Sequence, residues 1–354
     1  MIGTTLRKLA LTAFAISAFA VATRAAPEAQ TLDETRNAAV VVMYHRFGED
    51  NYPSTNIRLD QFEAHIKELT SGKYNVVALD ELVSAIRDKR KLPDRTVAIT
   101  IDDAFTSVYR EAWPRLKAAK LPFTVFIATG QVAAKAGGNY MTWEQIREMH
   151  KAGAGFANHS VTHAHLADQG AARVKKELAQ SNAAFEKQLG FRPQILAYPY
   201  GEASAAVMVA AKDAGFIAAF GQHSGVVHDG ANFHYLPRFA INESFGSIQR
   251  LKLVANALPI YATDISPAEP FLSSDRPNPP AFGFTIPDGV PYRNRLACYS
   301  SQHGKLELQR LGDQRVEVRL PKAFRPGRAR INCTLPAQND RWRWFGYQFY
   351  TPRP

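Results

Sequence analysis

The sequence predicts a large α/β domain followed by a small all-β domain, and three observations lead to this prediction. Between residues 39 and 258, short apolar runs rich in β-branched residues alternate with amphipathic helical patterns, as in βα units on a largely parallel sheet. Residues 262–280 are rich in Pro, Ser and Asp, as linkers are. Beyond them the pattern is strand-like alternation without an amphipathic helix.

The apolar runs predict seven strands in the large domain, at 40–44, 97–101, 123–128, 155–158, 195–198, 217–220 and 235–241. The helical patterns between them fall at 79–89, 108–120, 143–151, 171–189 and 205–214. These units fit either an open doubly wound sheet or a (β/α) barrel, and hydrophobic periodicity does not distinguish the two. In both architectures, functional residues lie at the carboxyl ends of the strands.

The last part of the chain has alternating runs at 305–311, 315–320 and 329–335 and an aromatic end at 342–350, which predict a β-sandwich-like domain. The two cysteines of the chain, Cys298 and Cys333, both lie here. We expect them to form a disulfide, with two buried free thiols as the alternative. The aromatic residues near the C-terminus indicate either sugar stacking or core packing; they are Trp342, Trp344 and Tyr347.

The N-terminus has the pattern of a secretory signal. Arg7 and Lys8 precede an apolar stretch at 9–22, and the small residues Thr23 and Ala25 follow. An uncleaved membrane anchor is the alternative, but the apolar stretch is shorter than the about 20 residues that span a bilayer. We therefore expect a periplasmic or secreted protein with a signal peptide at 1–25, a main domain at 26–262, a linker at 263–280 and a β domain at 281–354.

Composition limits the classes of function. The chain has 354 residues, of which 46% are hydrophobic, so it can bury a full core. This composition argues against disorder. The formal charge of +11 comes from scattered basic residues, without the basic face and interleaved aromatics of a nucleic-acid-binding protein. The charge instead indicates association with anionic components of the cell envelope. The oligomeric state is not indicated.

Asp102 and Asp103 directly follow the predicted strand at 97–101. Successive side chains at a strand end point in different directions, so one carboxylate can bind a metal while the other faces a substrate. An acidic helix N-cap is the alternative for such a pair.

His159 and His163 follow the strand predicted at 155–158 and are four residues apart. Imidazole suits zinc and other divalent transition metals, and one Asp with two His would make a three-ligand site with open positions. A solvated loop is the alternative, and the nearby His165 competes for the same role.

Residues 197–201 read Ala-Tyr-Pro-Tyr-Gly and close another predicted strand. The proline and glycine predict a tight turn, which either aims a backbone N–H at an oxyanion or is an ordinary turn.

The order Thr-Ile-Asp-Asp, His-x-x-x-His and Pro-Tyr-Gly resembles the polysaccharide deacetylase family, also called NodB-homology or carbohydrate esterase family 4. The resemblance covers residues 39–258 and implies a distorted (β/α) barrel. It implies that Asp102 is the catalytic base and that Tyr200 supplies the N–H for the oxyanion, with Tyr198 and Pro199 beside it in substrate binding. The implied metal ligands are Asp103, His159 and His163, and the ion is Zn²⁺, or Ni²⁺ or Co²⁺.

Two departures from the family pattern matter. Ala197 stands where the family has an Arg that pairs with the base, and we expect Arg238 to replace it. The usual Leu-x-His motif near the end of the domain is not evident, whereas His45 ends the first predicted strand. This layout resembles the circularly permuted branch that includes poly-N-acetylglucosamine deacetylases. We therefore expect His45 to be the general acid, across the metal from Asp102; the alternative is a strand-end histidine that hydrogen-bonds to neighbouring backbone.

These residues predict hydrolysis of N-acetyl groups from an N-acetylhexosamine polymer, such as poly-N-acetylglucosamine or chitin. The first alternative is an O-acetyl esterase acting on an acetylated polysaccharide or peptidoglycan. The second is a non-catalytic carbohydrate-binding protein with a degenerate site, which the missing Arg would suit.

Overall fold

A computed structural model describes residues 1–3 and 37–353 of the chain. Residues 4–25 of the signal peptide predicted at 1–25 lie outside the described residues. Within the described part, none of the helices has the length and apolar character needed to cross a membrane.

The large domain alternates strands and helices as predicted. Its elements are β1 (Ala38–Tyr44), β2 (Arg46–Phe47), β3 (Asn56–Ile57), α1 (Leu59–Leu69), β4 (Asn75–Val76), α2 (Leu79–Arg87), β5 (Thr96–Asp102), α3 (Trp113–Ala118), β6 (Phe123–Ile127), α4 (Trp143–Lys151), β7 (Gly155–Asn158), α5 (Ala171–Leu189), β8 (Ile195–Ala197), α6 (Ala205–Asp213), β9 (Ala218–Phe220), β10 (Val227–His228), β11 (Phe239–Ala240) and α7 (Ile248–Ala255). The main sheet has the order β10-β1-β5-β6-β7-β8-β9, with β4 also on β5 and β11 also on β1. All of these pairings are parallel except that of β10 with β1. Every residue of β5 is buried, as expected for a parallel strand covered on both faces.

A short segment closes this sheet into a distorted barrel. Leu236 forms a parallel bridge with Phe220 of β9, and its N–H donates to the carbonyl of Ala219. A few residues later, β11 pairs with β1. Residues 236–240 therefore span the gap between the first and last strands of the parallel series, and the predicted distorted barrel is confirmed.

The predicted helix at 108–120 is not continuous. Residues Val108–Ala112 form a π-helical turn, and α3 follows from Trp113. Pro114 lies in the first turn of α3 and has no N–H to donate to the preceding turn, so the regular ladder is interrupted there.

The C-terminal part forms a second sheet of eight strands. They are β12 (Leu258–Pro259), β13 (Thr263–Ser266), β14 (Phe282–Thr285), β15 (Ala297–Ser300), β16 (Gly304–Leu311), β17 (Arg315–Arg319), β18 (Gly327–Pro336) and β19 (Trp342–Thr351), in the order β12-β19-β18-β15-β16-β17-β14-β13. The first residues of β16 pair with β15 and its later residues with β17, so this strand passes from one half of the sheet to the other. The rings of Phe282 and Phe349 meet between the halves, with centroids 5.4 Å apart. The arrangement is sandwich-like, as predicted.

The predicted disulfide is present. Cys298 and Cys333 lie directly opposite each other on β15 and β18, and both are fully buried. The stretch expected as a linker contributes more than a connection, because Thr263–Ser266 is a strand of the second sheet and β12 already pairs with β19 before it.

The second sheet packs closely on the large domain. Buried residues of α5 and β8 share one apolar cluster with Phe282 and Phe349 of the second sheet. Arg341 also donates to both carboxylate oxygens of Asp94, at 2.9 and 3.1 Å. Two of the aromatic residues considered for sugar stacking belong to this packing: Tyr347 is buried, and the ring of Trp344 meets that of Phe239 at 5.3 Å. Trp342 is exposed.

Candidate active site

The carboxylate of Asp102 lies at the end of β5, fully buried against Arg238. Arg238 comes from the segment that closes the barrel and donates to both oxygens of Asp102, at 2.7 and 2.8 Å. Burial alone would raise the pKa of Asp102, but the charges of Arg238 and His159 outweigh it, and the pKa is lowered. The structure therefore places Arg238 where the missing family Arg would be needed.

The side chain of Asp103 serves a different group of residues from that of Asp102. Asp103 and Ala104 both adopt left-handed backbone conformations, with φ of 76° and 54°. Such conformations are costly for residues with a side chain and cluster at functional sites. The backbone turns sharply here, and Asp103 meets His159 and His163.

These three side chains form a group that fits one metal ion. Oδ1 of Asp103 lies 3.4 Å from Nε2 of His159 and 3.1 Å from Nε2 of His163. Ligand atoms bound to zinc at about 2.0–2.1 Å in tetrahedral geometry are about 3.3–3.4 Å apart, which matches this spacing. Oδ1 of Asp103 and Nε2 of His159 are buried without a geometrically acceptable hydrogen-bond partner, which is costly unless a ligand binds them. Nδ1 of His159 donates to the carbonyl of Ala197 at 2.7 Å, which leaves Nε2 as the free acceptor.

Glu177 of α5, for which the sequence carries no motif, holds the loop that carries the two histidines. Its buried carboxylate accepts hydrogen bonds from the N–H groups of Val161 and Thr162 and from the hydroxyl of Thr162, at 2.9–3.0 Å. Burial would raise its pKa, but these donors lower it. His165, the competing histidine, is not in the ligand group and instead pairs with Glu202 through Nδ1 at 2.5 Å.

His45 is brought to the site because β1 and β5 are neighbours. Tyr44 pairs with Ile101 in register, so the next residues, His45 and Asp102, lie side by side. Nε2 of His45 is 3.8 Å from Oδ2 of Asp102. His45 was expected across the metal from Asp102, whereas adjacent parallel strands make the two residues neighbours. Burial lowers the pKa of His45, although the charges of Asp102 and Asp103 act in the opposite direction.

The turn after β8 has one member, Tyr200, that is only half-buried. Tyr198 is fully buried with its hydroxyl on the carbonyl of His234, and Pro199 is also buried. Of the three residues assigned to substrate binding, only Tyr200 is left to border the cleft, with φ of 59°. Its ring meets that of His163 at 4.5 Å and stacks on that of His165 at 4.1 Å. Beside it lies a cavity of about 730 Å³, whose lining includes Glu202, Arg328, Arg330 and Tyr350.

Comparisons with known proteins agree with this geometry. The family model for polysaccharide deacetylase matches residues 89–219. The chain is 28% identical over 235 residues to the poly-beta-1,6-N-acetyl-D-glucosamine N-deacetylase of Staphylococcus aureus, covering 58% of this chain and 80% of that protein. It is 27% identical over 176 residues to YxkH of Bacillus subtilis, of which the match spans 61%, less than two thirds of its length.

Solved structures show the same fold. The Streptococcus pyogenes deacetylase PplD has a TM-score of 0.57 at 22% identity, covering 62% of this chain and 99% of PplD. IcaB from Ammonifex degensii has a TM-score of 0.56 at 26% identity, covering 62% of this chain and 97% of IcaB. The motifs, the barrel and these relatives agree: residues 89–219 match the polysaccharide deacetylase family model, and the chain has the fold of the solved deacetylases.

Proposed function

We propose that this protein is a metal-dependent deacetylase that hydrolyses N-acetyl groups of an N-acetylhexosamine polysaccharide. One observation carries the proposal: the Asp102–Arg238 pair and His45 lie beside the group of Asp103, His159 and His163. A degenerate binding protein would have no need to bury an ion-paired carboxylate next to three convergent metal ligands. The name of the Staphylococcus aureus relative favours poly-N-acetylglucosamine as the polymer.

A divalent ion, with zinc as the first candidate and nickel or cobalt as alternatives, would be held by Asp103, His159 and His163. When bound, it supplies a Lewis acid for the acetyl carbonyl and lowers the pKa of a bound water.

The protein residues move the proton. Arg238 keeps Asp102 ionised, so that Asp102 can take a proton from the attacking water. Burial lowers the pKa of His45, which favours its neutral form, and its Nε2 lies 3.8 Å from Oδ2 of Asp102, so that proton reaches His45 through one bridging water. It then protonates the leaving nitrogen, and the products are acetate and the free amine of the sugar. The N–H of Tyr200 is assigned to the oxyanion.

The N-terminal signal pattern and the disulfide support export to the periplasm or the exterior. The charge of +11 would then favour association with anionic envelope components.

The test is acetate release from poly-N-acetylglucosamine, chitin oligomers, peptidoglycan and acetylxylan, with and without a chelator. We expect chelator-sensitive release from the N-acetylated polymers and strongly reduced release from the Asp102→Asn variant, which should retain its metal. Release from acetylxylan alone would instead identify an O-acetyl esterase. A metal-loaded protein that releases no acetate from any of the four would be a binding protein.

A further inference from the structure

Two side chains of the C-terminal sheet reach the turn that carries Tyr200. Gln348 of β19 is fully buried, and its Nε2 donates to the carbonyls of Gly201 at 2.9 Å and Tyr200 at 3.3 Å. Arg328 of β18 donates from Nη1 to the carbonyl of Tyr200, also at 3.3 Å. Both donors lie outside residues 89–219, the part of the chain that matches the family model.

The turn needs such support. Tyr200 has φ of 59° and ψ of 3°, a left-handed conformation that is unfavourable for a residue with a side chain. Gly201 also has a positive φ, and a Cβ there would lie 2.3 Å from the backbone nitrogen of Gln222. Donors to the carbonyls of Tyr200 and Gly201 hold the two peptide planes that follow Tyr200, and these adjoin the Pro199–Tyr200 peptide that carries the N–H assigned to the oxyanion.

The guanidinium of Arg328 is also linked to Asp102, the proposed base, through the side chain of Gln222. Nη1 of Arg328 donates to Oε1 of Gln222 at 3.1 Å, and Nε2 of Gln222 lies 3.5 Å from Oδ2 of Asp102. Because Arg328 occupies the amide oxygen of Gln222, the amide nitrogen is directed at Asp102. Arg328 therefore contacts both the turn and the residue beside the base.

Gln348 is itself held in one orientation. Its Oε1 accepts from Nε of Arg330 at 3.0 Å, so its NH₂ group faces the turn. Its backbone carbonyl accepts from the hydroxyl of Tyr235 at 3.0 Å. The donor is thus fixed by the C-terminal sheet before any substrate binds.

We propose that Arg328 and Gln348 are positioning residues of the catalytic site, so that the C-terminal sheet completes the site of the large domain. This inference rests on the proposed deacetylase function. Arg328 and Gln348 set the Tyr200 turn, and Arg328 acts on Asp102 through Gln222. The C-terminal sheet is then required for turnover itself, in addition to any role in binding polymer.

The test uses the full chain with Gln348→Glu, which keeps the shape of the side chain but replaces the donor by an acceptor. We expect kcat to fall about 10- to 100-fold with KM changed less than about 3-fold, on both an N-acetyl substrate and an activated acetate ester. This loss is smaller than the 10²–10³-fold usual for removing an oxyanion donor outright, because the turn is displaced and not deleted. Gln309→Glu, the same substitution on exposed β16, is the matched control and should behave as wild type.

Metal content and the affinity for a methylphosphonamidate analogue of the tetrahedral intermediate separate positioning from folding. The analogue should bind Gln348→Glu more weakly by the same factor as kcat/KM, with metal content and product affinity unchanged. Arg328→Gln, at a partly exposed side chain, should show a smaller loss of the same kind, and Arg328→Lys should recover part of it. Wild-type kinetics in Gln348→Glu and Arg328→Gln would overturn this inference alone, as would losses explained by lost metal. An inactive, metal-loaded wild type would instead overturn the proposed function.

Discussion

Arg238 and Asp102 form a bidentate ion pair, with nitrogen–oxygen distances of 2.7 and 2.8 Å, and neither side chain is exposed to solvent. Two further N–H groups of the guanidinium donate to the carbonyl of Gly221 and the hydroxyl of Thr100. Removing one partner of such a pair leaves a buried charge without compensation.

Replacing Arg238 with Met should therefore destabilise the protein by about 3–5 kcal/mol, measured by urea unfolding at pH 7. Because Arg238 lowers the pKa of Asp102, its loss should also move the acidic limb of the kcat/KM–pH profile to higher pH. Arg238→Lys, which keeps the charge without the bidentate contact, should fall between wild type and Met. A Met variant with unchanged stability and an unchanged acidic limb would contradict this account of the pair.

His163 and His165 provide a matched pair of variants for the metal site. His163→Ala should lose most of its bound metal at equal protein concentration, because it removes one of three ligands. His165→Ala should keep the metal, since its ring pairs with Glu202. Elemental analysis after dialysis measures both, and the reverse order of metal loss would assign the ligands differently. Chelation of the wild type should also lower Tm, because the ion stabilises the folded state to which it binds.

Replacing His45 with Ala should lower turnover of an N-acetyl substrate by about 10²–10⁴-fold, the usual range for a general acid, with metal content unchanged. The loss should be smaller on an activated ester, whose leaving group needs no proton. His45 and Asp102 are neighbours in one proton path, so the double variant with Asp102→Asn should lose much less than the product of the two single losses. Equal losses on amide and ester would show that His45 holds the site together and is not its acid.

His228 predicts a loss of stability in acid. Burial lowers its pKa to about 4, and Nδ1 accepts from the N–H of Gly230, a bond that protonation removes. Between pH of about 6.5 and 4, the unfolded chain binds a proton that the folded one does not, so stability falls as pH falls through this range. The loss attributable to His228 by pH 4.5 should be about 2–3 kcal/mol. In urea unfolding, His228→Asn should lose less stability than wild type between pH 7 and 4.5, and parallel losses would contradict the assignment.

Sequence patterns located some elements to the residue and missed others for physical reasons. Helix α4 was predicted with its observed bounds because Thr142 and Gln145 cap it and its apolar face is regular. Helix α1 was not predicted, because its buried face includes His65 and Glu68, which interrupt the apolar period. His65 is acceptable there because Nδ1 meets the hydroxyl of Tyr44 and Nε2 meets the carbonyl of Gly246.

Some residues of the candidate site could likewise be predicted from the sequence, and others could not. The carboxylates and histidines follow strands of a parallel sheet, so their convergence could be predicted from strand order. Gln222 and Gln348 could not be identified in this way, since a single glutamine in a loop or strand carries no local signal. The bond from Gln348 to Gly201 joins residues 147 positions apart, and only the packing of the two sheets brings them together.

The segment that closes the barrel is also the segment that carries Arg238. Leu236 on one side of Arg238 is bonded to β9, and Phe239 on the other side pairs with β1. If this seam opens locally, Asp102 loses its counter-ion while every metal ligand keeps its place on the other strands. Enzymatic activity is then a direct report of seam closure: in rising denaturant, turnover should vanish before the metal is released and before the sheet unfolds.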